Sequence, residues 1–218
     1  MHIIYEDDHI IVIDKPAWQL CVPGKDPLMI STLQHVNDYL GFTARVVHRL
    51  DCATSGVMIF AKSLQAQRHL HLSFRQRKVA KIYHALICGK LEQTKGHITL
   101  PLMTDWPQRP KQKIDFVHGK AAHTDWQQGS SILLQDKWFI SVELRPKTGR
   151  THQLRLHMAS QGNPILGDRL YGAATYWSQP DKTGPFCRLY LHASKIYLQH
   201  PITGKSVCFQ AQAHFMGD

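Results

Sequence analysis

His48-Arg49-Leu50-Asp51-Cys52-Ala53-Thr54-Ser55-Gly56 runs directly into the apolar stretch Val57-Met58-Ile59-Phe60-Ala61. A carboxylate beside an arginine, a Thr-Ser-Gly break and then an unbroken apolar run describe a loop held at the mouth of a buried strand, a common setting for chemistry. The same pairing of Asp51 with an arginine also describes a surface ion pair, because carboxylates mark functional sites only statistically.

Upstream, Ile3-Ile4-Tyr5 and Ile10-Ile11-Val12-Ile13 flank Glu6-Asp7-Asp8-His9 and predict a β-hairpin ended by Lys15-Pro16. Pro23-Gly24 and Asp26-Pro27 mark a loop. Ser31-Thr32 predicts a capped helix to about Leu40, stopped by Gly41. Downstream, Ser63 reads as an N-cap, and Leu64, Leu70, Leu72 and Phe74 give a rough helical stripe through Arg77 with a basic outer side. From Lys81 the pattern turns to strands: Ile82 to Ile87, His97 to Leu100, Ala121 to Gln127, Ser131 to Leu134, Phe139 to Leu144, Leu189 to Leu198 and Ser206 to Phe209. Asp105 to Lys113 reads as a loop rich in Pro and basic residues, Arg150 to Gln161 as a helix stopped by Gly162, and Gly172 to Pro185 as a polar, aromatic loop. No internal repeat or low-complexity linker breaks the chain. The pattern predicts one α+β domain over residues 1–218, with a mixed, mostly antiparallel sheet and flanking helices and loops.

The 218 residues are 43% hydrophobic, enough for a packed core, and 19% charged, which argues against disorder. Lys and Arg number 26 against 16 Asp and Glu, for a formal charge of +10. Such an excess suits a polyanionic partner, nucleic acid above all, although an ordinary basic soluble protein has the same balance. Met1 to Asp8 has no basic region leading into an apolar one, so no signal peptide is expected. No apolar run approaches the roughly 20 residues of a membrane span. The five cysteines are scattered without a CxxC pair, which argues against a disulfide scaffold or a cysteine zinc site and fits a reducing cytoplasm.

The opening stretch also resembles the HRLDxxTSG signature of the RluA-type pseudouridine synthases, and further blocks follow in that family's order. Lys81-Ile82-Tyr83 matches its K-x-Y element. Lys147 to His157, with Thr148-Gly149-Arg150-Thr151-His152-Gln153, matches its TGRxHQxRxH helix. Gly162 to Asp168 matches a G-x-P-I-x-G-D turn, and Leu191-His192-Ala193 matches LHA. Asp105-Trp106-Pro107-Gln108-Arg109-Pro110-Lys111-Gln112 is similar to a loop of the leaner members, which lack the N-terminal S4 RNA-binding domain of other relatives. The family's (N/D)KPxGL element appears as Asp14-Lys15-Pro16-Ala17-Trp18-Gln19-Leu20, with Trp18 in place of a glycine and one residue inserted.

The resemblance implies the family's fold, with an active-site cleft across the sheet, and an isomerase acting on a uridine of 23S rRNA and one in the tRNA anticodon stem-loop. Asp51 would be the catalytic carboxylate, Arg150 the guanidinium keeping it ionised and Tyr83 the base, the relay or a stacking partner. The reaction is redox-neutral, so no cofactor is expected. The uridine has to leave its stack, and Arg49 would fill the vacated space, although an arginine there also suits a phosphate contact. Leu50 would pack behind the loop, and Thr54 and Ser55 would orient its backbone. His48 belongs to the same signature and joins the binding set. RNA phosphates would meet Arg68, Arg75, Arg77 and Lys78 of the basic helix and Arg109, Lys111 and Lys113 of the loop, unless these form a solvated face. Trp106 and Tyr176-Trp177 would stack on bases or pin their own loops.

Other readings remain. The 15 histidines include His69-Leu70-His71 and the pair His152 and His157, none of which makes an HExxH or a complete ligand set, so no metal is expected. A non-catalytic RNA-binding or ribosome-assembly module would keep the fold without needing Asp51, Tyr83 and Arg150 together. A base-removing hydrolase would also want an aspartate near C1′, but would release uracil. A monomer is the default expectation.

Overall fold

The computed structural model describes residues 1–134, 136–172 and 188–215. In chain order the elements are β1 (His2–Glu6), β2 (Ile10–Lys15), α1 (Thr32–Leu40), β3 (Arg45–Val46), β4 (Ser55–Ala61), α2 (Leu64–Arg75), β5 (Ala80–Ile87), β6 (Lys95–Thr99), β7 (Leu102–Thr104), β8 (Gln112–Ile114), β9 (His123–Leu134), β10 (Lys137–Pro146), α3 (Gln153–Ser160), β11 (Leu191–Gln199) and β12 (Ser206–Gln210). They fall into two compact units. The first comprises Met1–Lys81 with His192–Ala213, and the second Ile82–Leu191 with His214–Asp218.

In the first unit, β1 and β2 form the expected antiparallel hairpin, and β2 continues antiparallel onto β4. β3 also pairs antiparallel with β4, and β12 with β11. β4 and β11 run parallel, through His192 opposite Ser55 and Ala193 opposite Gly56. Every residue of β4 is buried, which is why it reads as a continuous apolar run rather than an alternating one. One face of this sheet sends Ile10, Val12, Val57, Ile59, Ile196 and Leu198 into a core closed by Ala66 and Leu70 of α2.

Local chemistry sets the helix ends here. Ser31 accepts from the Gln34 N–H while the Gln34 side chain accepts from the Ser31 N–H, a reciprocal capping box that starts α1. Gly41, left-handed at φ 73°, donates to Asn37 O and stops it. Ser63 caps α2 through the Ala66 N–H. The face of α2 differs from the apolar stripe: Leu64 and Leu72 are exposed, and Ala66, Leu70 and Ser73 point inward. These three fall at i, i+4 and i+7, and small side chains let α2 lie close against the sheet.

The second unit is antiparallel throughout its described pairings, with β10 between β5 and β9 and β6 on the far side of β9. Leu86, Cys88, Phe139, Leu166 and Tyr190 form its core. Burial pushes the Cys88 thiol up to about 11, so it behaves as a small apolar side chain. Three expectations change here. The two strands read at Ala121–Gln127 and Ser131–Leu134 are one strand, β9. The loop Asp105–Lys113 closes a small hairpin, β7 with β8, around a 3-10 turn at Trp106–Gln108. The helix read from Arg150 begins only at Gln153.

Candidate active site

The first unit holds the Asp51 loop by its backbone. Lys15, at the end of β2, is fully buried, and its ammonium donates to Pro16 O (2.7 Å), Gln19 O (2.8 Å) and Cys52 O (3.1 Å). Three donors meet three acceptors, so the charge is satisfied although it is away from water. Burial pulls the Lys15 pKa down, while Cys21, Cys52, Asp51 and Asp14 act against that shift. On the preceding residue, the buried Cys21 Sγ donates to Leu50 O (3.1 Å) and accepts from Leu50 N (3.3 Å). Burial raises the Cys21 pKa, which keeps the thiol protonated and able to do both.

His48 fixes the start of the loop. Its Nε2 accepts from the Ile59 N–H (3.1 Å) in β4, and its ring stacks on Phe74 of α2 at 4.9 Å and 23°. Burial, with the nearby Lys81 charge, pushes its pKa down to about 3, so the ring is neutral and carries its proton on Nδ1. His48, expected among the RNA contacts, has its Nε2 engaged with β4, which positions the start of the loop. At the other end, the Thr54 N–H closes a turn onto Asp51 O (3.0 Å). Ser55 Oγ then lies 2.9 Å from His192 Nδ1, and His192 Nε2 lies 3.2 Å from Ala211 O. A carbonyl only accepts, so His192 donates through Nε2 to Ala211 O, and its Nδ1 is bonded to the Ser55 hydroxyl. Gly56 has φ 115°, and a Cβ there would stand 2.3 Å from Ala193 O. Only glycine lets β11 come this close, which ties the LHA block to the signature.

Between these attachments the Asp51 side chain is half-buried, Leu50 is buried and Arg49 is exposed. Trp18 has φ 65°, in the left-handed region that glycine favours. Arg68, Arg75, Arg77 and Lys78 are all exposed and form no ion pair among the described residues. Arg68 and Arg75 are seven residues apart and so share one face of α2.

The second unit carries the other candidates. Tyr83 is half-buried in β5, opposite Leu144 of β10. Arg150 lies in a turn before α3. The Gln153 side chain shapes that turn: Oε1 accepts from Thr148 Oγ1 (2.7 Å) and Arg150 N (3.0 Å), and Nε2 donates to His123 O and Thr124 Oγ1 (both 3.0 Å). All four bonding positions of this buried amide are filled. Arg150 donates from Nε to Ala121 O (3.2 Å), and its two Nη groups have no partner among the described residues.

Beside this turn His152, in the left-handed region at φ 53°, places Nδ1 2.9 Å from the Tyr171 hydroxyl, which also accepts from the Gln112 N–H (2.7 Å). One hydroxyl therefore connects the base of the β7–β8 hairpin to the residue before α3. Tyr171 is held in turn by Asp168, whose Oδ1 accepts from the Leu170 and Tyr171 N–H groups. Asp168 is fully buried in a two-pronged pair with Arg155, Nε to Oδ2 and Nη2 to Oδ1, both at 2.7 Å. In the hairpin, Arg109 lies 3.5 Å over the Trp106 ring, Lys111 is half-buried, and Lys113 is exposed but pairs with Asp115 at 3.5 Å.

Sequence reasoning quoted Lys15, His192, Gln153, Arg155 and Asp168 within motifs but gave them no task, and it passed over Cys21 and Tyr171. The signals were present: a lysine ending an apolar strand, and an arginine inside the apolar stripe of a helix, both demand buried partners. Tyr176 and Trp177 lie outside the described residues. Among the described residues no helix is long and apolar enough to cross a membrane. Among the described residues no three of His, Cys, Asp and Glu converge as a metal-binding set.

Against known proteins, residues 9–160 match the family model described as RNA pseudouridylate synthase. The chain is 42% identical over 216 residues to the dual-specificity RNA pseudouridine synthase RluA of Haemophilus influenzae, covering 99% of this chain and 94% of that one. It is 42% identical over 219 residues to the RluA of Yersinia pestis, covering 99% of this chain and all of that one. In fold it is similar to human RNA pseudouridylate synthase domain containing 1, with a TM-score of 0.80 at 24% identity over 97% of this chain and 82% of that one. The Asp51 loop and the turn before α3 both fall within the matched residues 9–160, and the chain belongs to the RNA pseudouridylate synthase family.

Proposed function

We propose that this chain is a dual-specificity RNA pseudouridine synthase that isomerises a uridine in 23S rRNA and another in the anticodon stem-loop of tRNA. In this reading it works in the cytoplasm as a monomer, without cofactor or metal, and its two units act as one catalytic domain. The observation that carries the proposal is the Asp51 loop, where Lys15, Cys21 and His48 fix the backbone on either side of a half-buried carboxylate inside the family signature.

The chemistry needs few groups. The bond from C1′ to N1 breaks, the base turns, a bond from C1′ to C5 forms, the C5 proton leaves and N1 gains a proton. Asp51 serves as the nucleophile or as the anion opposite the developing positive charge. Arg150 is the group that keeps it charged, and the support is that its Nη groups have no partner among the described residues. Tyr83 takes the C5 proton or stacks on the base. The uridine is flipped from its stack, and the exposed Arg49 enters the gap it leaves. Arg75, Arg77, Arg109, Lys111 and Lys113 lie along the phosphates.

RNA labelled with tritium at C5 of uridine tests this directly, because isomerisation releases the label into water. The wild-type protein is expected to release it with RNA mass unchanged, while Asp51→Asn binds RNA normally and releases none. Label release by Asp51→Asn removes Asp51 from the mechanism. Binding without release by the wild type supports the non-catalytic module, and free uracil supports the hydrolase.

A further inference from the structure

Beyond β8 the chain makes a short, pinned turn that presents an apolar tip to solvent. Asp115 Oδ1 accepts from the Val117 N–H (3.0 Å) and the His118 N–H (2.8 Å). The Gly119 N–H donates to Asp115 O and the Asp115 N–H to Pro101 O, both at 3.0 Å. Leu102 and Lys120 then exchange two backbone bonds, at 3.0 and 2.8 Å. A Cβ on Gly119 would lie 2.1 Å from Asp115 O, so the turn closes only with glycine there. At its tip Phe116 is 78% and Val117 82% exposed, although a turn this constrained could carry polar residues at no structural cost.

The surroundings of the tip choose its occupant. Lys113, His118 and Lys120 are exposed around it. The carboxylate of the turn, Asp115, is engaged by two backbone N–H groups and by Lys113. Two side chains flanked in the chain by Lys113 and Lys120 fall well short of the roughly 800 Å² per partner of a stable protein interface. An aromatic ring beside positive charge on a chain of net charge +10 does fit an unpaired nucleotide, whose base stacks on the ring while its phosphate meets a lysine. We infer that Phe116 is a stacking platform for an unpaired base of the RNA substrate, with Val117 against the same nucleotide and Lys120 on its phosphate. The inference rests on the chain acting on RNA, and it adds a recognition residue that none of the motifs contains.

The test compares wild type, Phe116→Ala and Phe116→Trp for binding to a stem-loop RNA and to a fully paired duplex of equal length, alongside tritium release and thermal melting. Phe116→Ala is expected to weaken stem-loop binding about 5- to 150-fold. Phe116→Trp restores it, duplex binding does not change, and the melting temperature holds because the ring is outside the core. Unchanged stem-loop affinity in Phe116→Ala overturns the inference, as does an equal loss on stem-loop and duplex. A wild-type dimer that Phe116→Ala converts to monomer overturns it in favour of a second copy of the chain. If Phe116→Ala binds and turns over like wild type while Asp51→Asn is inert, the platform fails and the proposed function stands. If wild type releases no label from any RNA, the proposed function fails while the binding comparison still reads Phe116.

Discussion

Removing the Asp168 carboxylate isolates the cost of a stranded buried charge. Asp168 is fully buried and Arg155 nearly so, joined by two bonds of 2.7 Å. Asp168→Ala leaves the guanidinium in the core without its counter-charge, a loss of about 3–5 kcal/mol. It also strips the acceptor from the Leu170 and Tyr171 N–H groups, at about 1 kcal/mol each. Together these approach roughly 5–7 kcal/mol, a large share of the stability of an ordinary domain, about 5–15 kcal/mol. At about 2–4 °C per kcal/mol for a chain of this size, melting should fall by roughly 10–25 °C. The double variant Arg155→Met/Asp168→Leu removes both charges and should regain the pair's share, leaving about 2 kcal/mol lost through the two amides. Urea and thermal melts of the three proteins decide the matter. A double variant no more stable than Asp168→Ala would show that the stranded guanidinium is not the source of the loss, and the account of the pair would be wrong.

Two other substitutions probe the site. Gly56→Ala places a methyl 2.3 Å from Ala193 O at φ 115°, which forces β4 and β11 apart and should cost about 3 kcal/mol or more; a urea midpoint equal to wild type would contradict that packing. Arg75→Gln/Arg77→Gln removes two exposed cations from the first unit. The slope of log affinity against log salt should become shallower by about 0.7–0.9 per lost phosphate contact, with turnover at saturating RNA intact; an unchanged slope takes both residues off the RNA path.

What the sequence revealed depended on how local the causes were. α1 was readable to its last residue because Ser31, Gln34 and Gly41 act within their own turns. β9 was not, because Gln128-Gly129-Ser130 looks like a break, yet the ladder to β10 runs past it with only a register irregularity near Ile140. There the partner strand outweighs local turn propensity. The helix at Arg150 was read too early for a related reason: the Gln153 amide draws Thr148 and Arg150 N into a turn that backbone periodicity does not encode. Asp51 was found through its motif, but its support was hidden. Lys15, Cys21 and His48 lie 36, 30 and 3 residues before it, and only the folded sheet brings the first two to the loop. The left-handed Trp18 shows the same logic, since the fold fixes a conformation that its own residue type does not favour.

The groups that hold the Asp51 loop share a property that bears on how the site responds to acid. His48 is neutral with a pKa of about 3, the Cys21 thiol is raised by burial and stays protonated, and Lys15, although lowered, is surrounded by carbonyl oxygens that favour its charged form. Neither His48 nor Cys21 is expected to change state near neutral pH, so their hold on the loop stays constant there. Stability behaves differently. An unfolded histidine takes up a proton near 6.5, whereas folded His48 does not until about 3. Its contribution is therefore complete above about pH 6.5 and declines as pH falls toward 3, with a slope of up to about 1.4 kcal/mol per pH unit. His157, lowered in the same direction by burial, adds to that decline. Wild type should accordingly lose urea resistance between pH 6.5 and 4.5 more steeply than His48→Gln, while tritium release by the still-folded enzyme shows no inflection near 6.5 that His48→Gln abolishes. Equal stability slopes, or such an inflection, would mean that His48 titrates in the folded loop, and the loop would then be a pH-sensitive element rather than a fixed mount for the carboxylate.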